Sequence, residues 1–321
     1  MKTFIYLFSG IGGFHYALKN LGLECIYACE LDNSARECYS VNFPEVKHFD
    51  TDITSVDAST IPSFDILCAG FPCQPFSISG KQEGFSDTRG TLFFDICRVL
   101  SEKKPTAFIL ENVKNVSVHD DGKTLKVILQ SLQTIGYNVS WKVLNAKDFG
   151  VPQNRERTII VGHKNKTFDF DTVKKINKNP ILEDIIREKV LDYLDPSEYT
   201  LIRDTVVQKS GLIFSGYLKK NIRKTGANPN NLHHSRTHKQ PNRIYSSEGT
   251  HPTLSAQETS GRYWILHKGK VRKLTLDECY RLMGFSGNHL KTGTLSQKYK
   301  QIGNSVCIPM IQAVAEALLR I

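Results

Sequence analysis

The sequence predicts an α/β protein built on a doubly wound, mostly parallel, Rossmann-like sheet, with a second, smaller domain. Short apolar runs alternate with helical patterns over the first half of the chain, as they do in βαβ units. A glycine-rich turn follows the first run, and acidic residues follow the second and third. Because ligands of such sheets bind at the carboxyl ends of the strands, we expect a ligand site there.

The predicted elements of this sheet follow one another closely. Strand-like runs occupy residues 3–8, 24–29, 46–49, 64–69, 107–110, 139–144 and 158–161. Helical patterns occupy residues 14–21, 33–42, 92–100 and 125–135. Asp32 or Asn33 is suited to cap the second helix. A long loop rich in Gly, Ser and Gln covers residues 70–90.

The pattern changes in the second half of the chain. Strand signals become short and Asn, Lys, Ser and Gly become frequent, until an amphipathic helix appears at residues 308–319. We therefore predict a main domain at residues 1–174, a smaller domain at 175–290, and a C-terminal segment at 291–321 that returns to the main domain.

Composition argues against several classes of protein. No apolar stretch approaches the roughly 18 residues of a membrane span, and the N-terminal apolar run breaks into glycines before any signal-peptide cleavage site. The 8 cysteines form no CxxC pair, which disfavours structural zinc and a disulfide framework. We predict a cytoplasmic protein in which most cysteines are small core residues.

Positive charge is concentrated in one region. Residues 163–300 hold 25 Lys and Arg against 13 Asp and Glu, whereas the rest of the chain holds 17 against 19. Residues 205–247 contain no acidic side chain. This distribution is typical of a protein that binds a polyanion, although an ordinary solvated surface accounts for charge asymmetry equally well.

The strand ends indicate a cofactor that contains adenosine. Gly10 and Gly12 let a ligand approach the first turn closely. The dinucleotide pattern GxGxxG fits poorly, because His15 occupies the third glycine position. Glu30 is placed to accept hydrogen bonds from ribose hydroxyls, and Asp52 from an adenine amino group. These residues do not distinguish NAD from S-adenosylmethionine.

Cys73 is the cysteine best placed for chemistry. It follows an apolar strand in the loop GFPCQPFS, between Pro72 and Pro75, which restrict the backbone around it. A cysteine nucleophile acts as a thiolate and needs positive surroundings. We interpret Cys73 as a candidate nucleophile and Cys68, inside the strand, as a core residue.

Six motifs, in this order, resemble those of the DNA (cytosine-5)-methyltransferase family. They are FSGIGGF, ELDNSA, GFPCQPFS, ENV, QNRER and GNSV, and they span residues 8–306. The loop text GFPCQPFSISGKQEGFSDTRGTLFFDI is similar to that of small bacterial restriction–modification enzymes of the GCGC-methylating type. The resemblance implies a methyltransferase fold, S-adenosylmethionine as cofactor without a metal, and methylation at C5 of a flipped-out cytosine in a specific duplex DNA sequence.

The resemblance implies catalytic roles for four residues. Cys73 would add to C6 of the cytosine, and Glu111 of ENV would assist at N3. Arg157 would hold the base at O2, and Arg155 would steady the catalytic loop or the negative charge of the site. The base that removes the C5 proton is not visible in the sequence.

The cofactor pocket implied by the resemblance comes from the strand ends and the C-terminal segment. Its residues would be Phe8, Gly10, Ile11, Gly12, Glu30, Leu31, Asp52, Ile53, Pro72, Leu92, Asn304 and Val306. Leu31 departs from the family, in which a Trp is common at this position.

The basic region lies where the family keeps its target-recognition domain, so residues 175–290 are predicted to read DNA and residues 1–174 to bind the cofactor and catalyse. The target cytosine must leave the duplex. The mobile loop after Cys73 would contact DNA through Ser77, Ser79, Lys81 and Gln82. In the smaller domain Gln240 would fill the gap left by the flipped base, Arg243 would bind guanine O6 and N7, Thr253 would position the backbone, and His238 and its neighbours would contact phosphates.

Three alternatives remain open from the sequence. One is a tRNA cytosine-5 methyltransferase of the same family, and another is an NAD-dependent oxidoreductase. A third is a catalytically inactive DNA-binding regulator, which the intact Cys73, Glu111 and Arg157 disfavour. For the leading hypothesis we expect a monomer at the bacterial nucleoid, with a restriction endonuclease as a functional, not physical, partner. The target sequence stays open, because AQETSG after Ser255 departs from the GCGC-methylating relatives.

Overall fold

The computed structural model describes residues 2–72, 92–176, 178–187, 190, 192–219, 237–256 and 262–321. Contacts divide the chain into two units. The first unit comprises Met1–Leu144, Glu156–Lys175 and Val306–Ile321, and the second comprises Asn145–Arg155 and Ile176–Ser305.

The strands of the described residues are β1 (Thr3–Leu7), β2 (Glu24–Cys29), β3 (Phe49–Asp50), β4 (Ile66–Gly70), β5 (Ala107–Val113), β6 (Asn138–Asn145), β7 (Gln153–Asn154), β8 (Glu156–His163), β9 (Tyr199–Leu201), β10 (Phe214–Leu218), β11 (Arg243–Ser246), β12 (His251–Pro252), β13 (Trp264–His267) and β14 (Lys270–Lys273). The α-helices are α1 (Gly13–Lys19), α2 (Asn33–Asn42), α3 (Leu92–Lys103), α4 (Lys123–Thr134), α5 (Leu276–Leu282), α6 (Leu295–Asn304) and α7 (Ile308–Leu318). Within the ranges described, no helix combines the length and the apolar character needed to cross a membrane.

The first unit contains a seven-stranded sheet in the order β3-β2-β1-β4-β5-β8-β6. The strands from β3 to β5 pair in parallel, and β8 runs antiparallel to β5, so the predicted mostly parallel sheet is confirmed. Chain order reverses between β1 and β4, which pair directly up to Leu7 and Ala69. This reversal creates the crevice in which doubly wound sheets bind ligands.

The core of the first unit follows from strands that are apolar on both faces. The sequence ILCAG of β4 is buried at four of its five positions, as expected for a parallel strand covered on both sides. Side chains of α3 and α4, such as Ile96, Leu100 and Ile128, pack into one cluster with the strand residues Leu67 and Phe108. The C-terminal helix α7 packs against α1.

Local signals placed the second helix correctly, but not the third strand. The predicted helix at residues 33–42 is confirmed, and the Asp32 side chain caps it by accepting from the backbone N–H groups of Ser34 and Ala35. The strand predicted at residues 46–49 starts only at Phe49. The reason is that Val46 donates to the carbonyl of Phe43, which makes a turn after α2.

The second unit is built on a five-stranded sheet in the order β14-β13-β11-β10-β9, with a small apolar cluster around Leu218, Ile244 and Val271. Contacts also place residues 291–305 in this unit, whereas the predicted division put them in the C-terminal segment.

A buried ion pair joins β14 to α5 in the second unit. The guanidinium of Arg272 donates to both carboxylate oxygens of Glu278, at 2.7 and 2.8 Å. The two side chains are 2% and 0% exposed. Glu278 also accepts from the backbone N–H of Thr275 and so completes the cap of α5. Such a geometry satisfies two charges that would otherwise be costly to bury.

We expect Glu278→Gln to lower the free energy of unfolding by about 3 kcal/mol, because it leaves the buried Arg272 guanidinium without a counter-charge. Urea denaturation followed by circular dichroism measures the loss. The matched control is Asp171→Asn, which removes a carboxylate from an exposed pair with Lys142 and should leave the midpoint nearly unchanged. Equal shifts in the two variants would contradict the prediction.

Candidate active site

The turn after β1 is shaped by left-handed backbone and close packing. Phe8, Gly10 and Gly12 have φ values of 55°, 51° and 92°. A Cβ on Gly12 would lie 2.1 Å from Cε2 of Phe43, whose ring stacks on His15 with centroids 3.7 Å apart. Gly12 is therefore required by packing, and the residue that replaces the third glycine of the dinucleotide pattern supports that packing.

Gly10 and its neighbours show a different environment. No atom lies within 4 Å of the position that a Cβ on Gly10 would take, so the backbone is open to a ligand at this point. Phe8 is half-buried and Ile11 is buried.

Glu30 follows β2 and joins two segments of the candidate site. Its Oε2 accepts from the N–H of Gly10 at 2.7 Å, and its Oε1 accepts from the N–H of Asp32 at 2.8 Å. Burial raises the pKa of this carboxyl group, and hydrogen bonds from the backbone oppose the rise. A carboxylate offers about four acceptor positions, so capacity remains for a ligand hydroxyl.

Leu31 follows Glu30 after β2, and Asp52 follows the neighbouring strand β3. Leu31 is 66% exposed, an unusual position for a large aliphatic side chain that suits an apolar ring. Asp52 accepts from the N–H and Oγ1 of Thr54, and these hydrogen bonds lower its pKa. The Ile53 side chain is buried in the core.

Arg98 holds the segment after Asp52 in place. From α3, its guanidinium donates to the carbonyls of Ile53 and Val56 at 2.6 and 2.7 Å. Arg98 was not predicted as a site residue, because its partners lie more than 40 positions away along the chain and no local sequence pattern indicates its role.

Glu111 and Arg157 form an ion pair at the end of β5. Nε of Arg157 lies 2.8 Å from Oε1 of Glu111, and the two side chains are 12% and 11% exposed. The other carboxylate oxygen, Oε2, lies 3.6 Å from where a Cβ of Gly70 would be, and Cγ1 of Val306 lies 3.7 Å from that point. Gly70 ends β4, so the carboxylate stands at the edge of the sheet where β4 and β5 pair.

Asn112 connects this edge to the loop of the candidate nucleophile. Its Nδ2 donates to the carbonyl of Phe71 at 3.1 Å, and its Oδ1 accepts from the N–H of Val113. The side chain is 2% exposed. Asn112 was not singled out from the sequence, since its contact with Phe71 spans 41 positions. The sequence signal that could have identified Asn112 as a site residue is its position next to Glu111.

Residues 73–91, which follow Pro72, lie outside the described part of the chain. Pro72 is exposed, and Leu92 is half-buried at the start of α3. Predicted site residues that lie outside the described residues are Cys73, Ser77, Ser79, Lys81 and Gln82.

The other cysteines are unsuited to nucleophilic chemistry. The seven within the described residues are all buried, as predicted for most of them. Burial raises the pKa of the thiols of Cys25, Cys29 and Cys279 to about 12. A thiol with such a pKa is protonated near neutral pH and is a poor nucleophile. Cys73, which lies outside the described residues, therefore stays the predicted nucleophile.

Arg155 lies in the second unit and is bonded to backbone carbonyls of that unit. Its guanidinium donates to the carbonyls of Leu254, Gly303 and Ser305 at 2.7–3.1 Å and is 2% exposed as a residue. The predicted role of Arg155 at the catalytic loop stays a prediction, because that loop lies outside the described residues. Asn304, in the same segment, is exposed at the end of α6.

Thr253 and Gln153 attach a loop to the segment before β8. Thr253 Oγ1 donates to the carbonyl of Asn154 at 2.7 Å. Gln153 accepts from the N–H of Leu254 at 3.0 Å and donates to the carbonyl of Leu282 at 3.0 Å. The loop of Thr253 is therefore fixed by side chains more than 95 positions away.

Gln240 and Arg243, the predicted DNA contacts, bind each other. Arg243 Nη1 donates to Oε1 of Gln240, and its Nε and Nη2 donate to the carbonyl of His238. The prediction that His238 contacts phosphates is wrong, because its ring is fully buried and stacks on Tyr217 with centroids 4.0 Å apart.

Comparison with known proteins gives consistent matches over the whole chain. Residues 2–320 match the family described as C-5 cytosine-specific DNA methylase. The chain is 42% identical over 319 residues to the type II methyltransferase M.HhaI of Haemophilus parahaemolyticus, covering 97% of this chain and 92% of the relative. It is 41% identical over 315 residues to M.HaeII of Haemophilus aegyptius, covering 98% and 92%.

A solved structure, that of the S. pombe Dnmt2 methyltransferase, superposes with a TM-score of 0.71 at 21% identity. It covers 100% of this chain and 99% of that chain. At this level of identity the likeness shows the fold alone, and it agrees with the large parallel sheet described above.

The two glycines of the first turn give a matched pair of variants. We expect Gly12→Ala to lower the free energy of unfolding by about 3 kcal/mol, because the methyl group adds a clash with Phe43 to an unfavourable φ. Gly10→Ala should cost only about 1 kcal/mol, from φ alone. Urea denaturation of the ligand-free protein measures both. If Gly10→Ala lowers the free energy of unfolding as much as Gly12→Ala does, the prediction that a methyl group on Gly10 meets open space is wrong.

Proposed function

The chain belongs to the C-5 cytosine-specific DNA methylase family and is a DNA (cytosine-5)-methyltransferase of the type found in restriction–modification systems, and we propose that Cys73, Glu111 and Arg157 form its catalytic group. Members of this family use S-adenosylmethionine as methyl donor. The observation that carries the proposal is the ion pair of Glu111 and Arg157 at the switch-point edge of the sheet.

Glu111 is held in a single orientation at this edge. Arg157 binds one carboxylate oxygen, and the absence of a side chain at Gly70 leaves space beside the other. A carboxyl group fixed in this way can, when protonated, donate a hydrogen bond to N3 of a cytosine, which makes C6 more electrophilic. The remaining N–H groups of Arg157 suit the O2 atom of the same base.

Cys73 is the proposed nucleophile. Its thiolate forms a bond to C6 of the flipped-out cytosine, and the electron pair of the C5–C6 double bond moves to C5. Carbon 5 would then take the methyl group of S-adenosylmethionine, whose bond from sulfur to the methyl carbon would break to leave S-adenosylhomocysteine. A base that the sequence does not identify would accept the C5 proton, so that the C5–C6 double bond returns as the bond from Sγ to C6 breaks and the thiolate is regenerated. Asn112 would position the entrance to the Cys73 loop through the Phe71 carbonyl.

The cofactor residues proposed from the first unit fit an adenosine. Glu30 retains acceptor capacity for ribose hydroxyls, Leu31 offers an exposed apolar surface, and the backbone at Gly10 is open. When bound, S-adenosylmethionine supplies the methyl group as an electrophilic sulfonium methyl. Ile53 would act through its backbone position, since its side chain lies in the core.

The second unit is the proposed target-recognition domain. Its basic stretch provides the electrostatic attraction that duplex DNA requires, and Gln240 is proposed to fill the space left by the flipped base. Arg155 acts as a positioning residue that joins the loop of Leu254 to residues 303–305. We further propose a monomer at the bacterial nucleoid with a restriction endonuclease as functional partner, on the basis of the type II relatives.

We expect Cys73→Ala to abolish methyl transfer while it retains S-adenosylmethionine binding, because only the covalent step needs the thiolate. Incubation with tritiated S-adenosylmethionine and either duplex DNA or tRNA measures transfer, and calorimetry measures cofactor binding. Label in DNA that persists in Cys73→Ala would refute the mechanism. Label in tRNA but not in DNA would reassign the substrate. Bisulfite sequencing of the DNA product then identifies the target site.

The proposed role of Glu111 predicts that its replacement lowers kcat and changes the affinity for the cofactor little. Glu111→Gln keeps the shape of the side chain but not its charge or its proton, so kcat should fall about 100-fold or more, with cofactor affinity unchanged. The matched control is Glu156→Gln, which removes a half-exposed carboxylate on the neighbouring strand, paired with Lys114. A similar kcat for the two variants would contradict the proposal that Glu111 belongs to the catalytic group.

A further inference from the structure

Gln240 and Arg243 are parts of one polar cluster, which we define as Gln240, Arg243, Tyr245, Tyr263 and the carbonyl of His238. The side edge of the Arg243 guanidinium, Nε and Nη2, donates to the His238 carbonyl at 3.1 and 2.9 Å. Nη1 donates to Oε1 of Gln240 at 2.5 Å. Because the His238 ring is buried, the carbonyl that receives Arg243 is held in place.

Two tyrosines also belong to the surroundings of Gln240. Burial raises the pKa of both Tyr245 and Tyr263. At Tyr245, hydrogen bonds with Arg243 and Gln240 oppose the rise. At Tyr263, the charge of Arg243 and a hydrogen bond with Gln240 oppose it.

This arrangement restricts how Arg243 can read a base. An arginine binds guanine O6 and N7 with two N–H groups of one edge of its planar fork. The side edge is engaged by the His238 carbonyl. The end edge comprises Nη1 and Nη2, and Nη1 donates to Gln240 through one of its two N–H groups. While Gln240 stays on Nη1, that N–H group is unavailable to a base.

We propose that Gln240 holds an N–H group of Arg243 Nη1 until it leaves the cluster to enter the DNA helix, so that base reading and base flipping are coupled. The side edge stays on the His238 carbonyl and keeps the guanidinium in place during the exchange. This inference rests on the proposed function, in which Gln240 fills the space of the flipped cytosine and Arg243 reads a guanine.

Tyr263→Phe tests the coupling without a change in either DNA-contacting residue. The variant removes the phenol hydroxyl that shares a hydrogen bond with Gln240, so release of Gln240 costs less and DNA binding should tighten about threefold, the effect of one neutral hydrogen bond. The control is Tyr193→Phe, which removes an exposed hydroxyl outside the cluster and should leave affinity unchanged. A merely structural role for Tyr263 predicts weaker binding, which would overturn the proposal, as would unchanged binding.

A double-mutant cycle measures the contact itself. The probe is a duplex that carries the site identified by bisulfite sequencing, bound at constant salt, and the variants are Gln240→Ala, Arg243→Lys and both together. Coupling predicts that Arg243→Lys weakens binding about tenfold more in the Gln240→Ala background than in the wild type, because Arg243 is then free to read the base from the outset. Additive effects would overturn the proposal.

Two controls keep the outcomes separate. Thermal unfolding of each variant without DNA shows whether the 238–243 turn remains folded, and Lys268→Gln removes an exposed charge of the same unit outside the cluster to calibrate the loss of a single positive charge. If the wild-type protein transfers methyl groups to DNA and the cycle is additive, only the coupling fails. If the wild-type protein transfers none, the proposed function itself fails.

Discussion

The carboxyl ends of β1 and β4 lie side by side while the chain leaves them in opposite directions, and the rest of the candidate site depends on this constraint. The pairing of Leu7 with Ala69 brings the glycine turn next to Gly70. The neighbouring strands then add Glu30 on one side and Glu111 on the other. The proposed cofactor residues and the proposed catalytic carboxylate thus share one edge of one sheet, because the strand order reverses there.

The buried charges of each unit are paired in different ways. In the first unit, Glu30 is held by backbone N–H groups and Glu111 by a guanidinium, so both carboxylates have a fixed orientation. In the second unit, Arg155 and Arg272 are almost fully buried and bind carbonyls or a carboxylate of their own unit. A buried charge must be satisfied within the protein, and these contacts stabilise the backbone around both arginines.

Prediction succeeded where short segments determine the outcome. The strands of the parallel sheet, the cap of α2 and the glycine turn follow from apolar runs and single residues, which act over a few positions. The predicted start of the third strand was wrong, because the chain makes a turn at Phe43 before the strand begins. Prediction also could not reveal Asn112, Arg98 or the partners of Arg155, since those contacts join residues between 41 and 150 positions apart.

The sequence by itself therefore determined the class of sheet and the family, and it predicted Cys73, Glu111 and Arg157 as the catalytic group, because motifs preserve residue types in a readable order. Only the tertiary structure showed which partners Glu111 and the two arginines have within the protein. Arg155 and Arg157 are two positions apart, yet Arg155 binds carbonyls of distant residues, whereas Arg157 binds the carboxylate of Glu111 and the adjacent carbonyl of Glu156. Likewise Arg243 and Gln240 engage each other. Hydrogen-bond partners depend on distances in space, and a motif does not encode those distances.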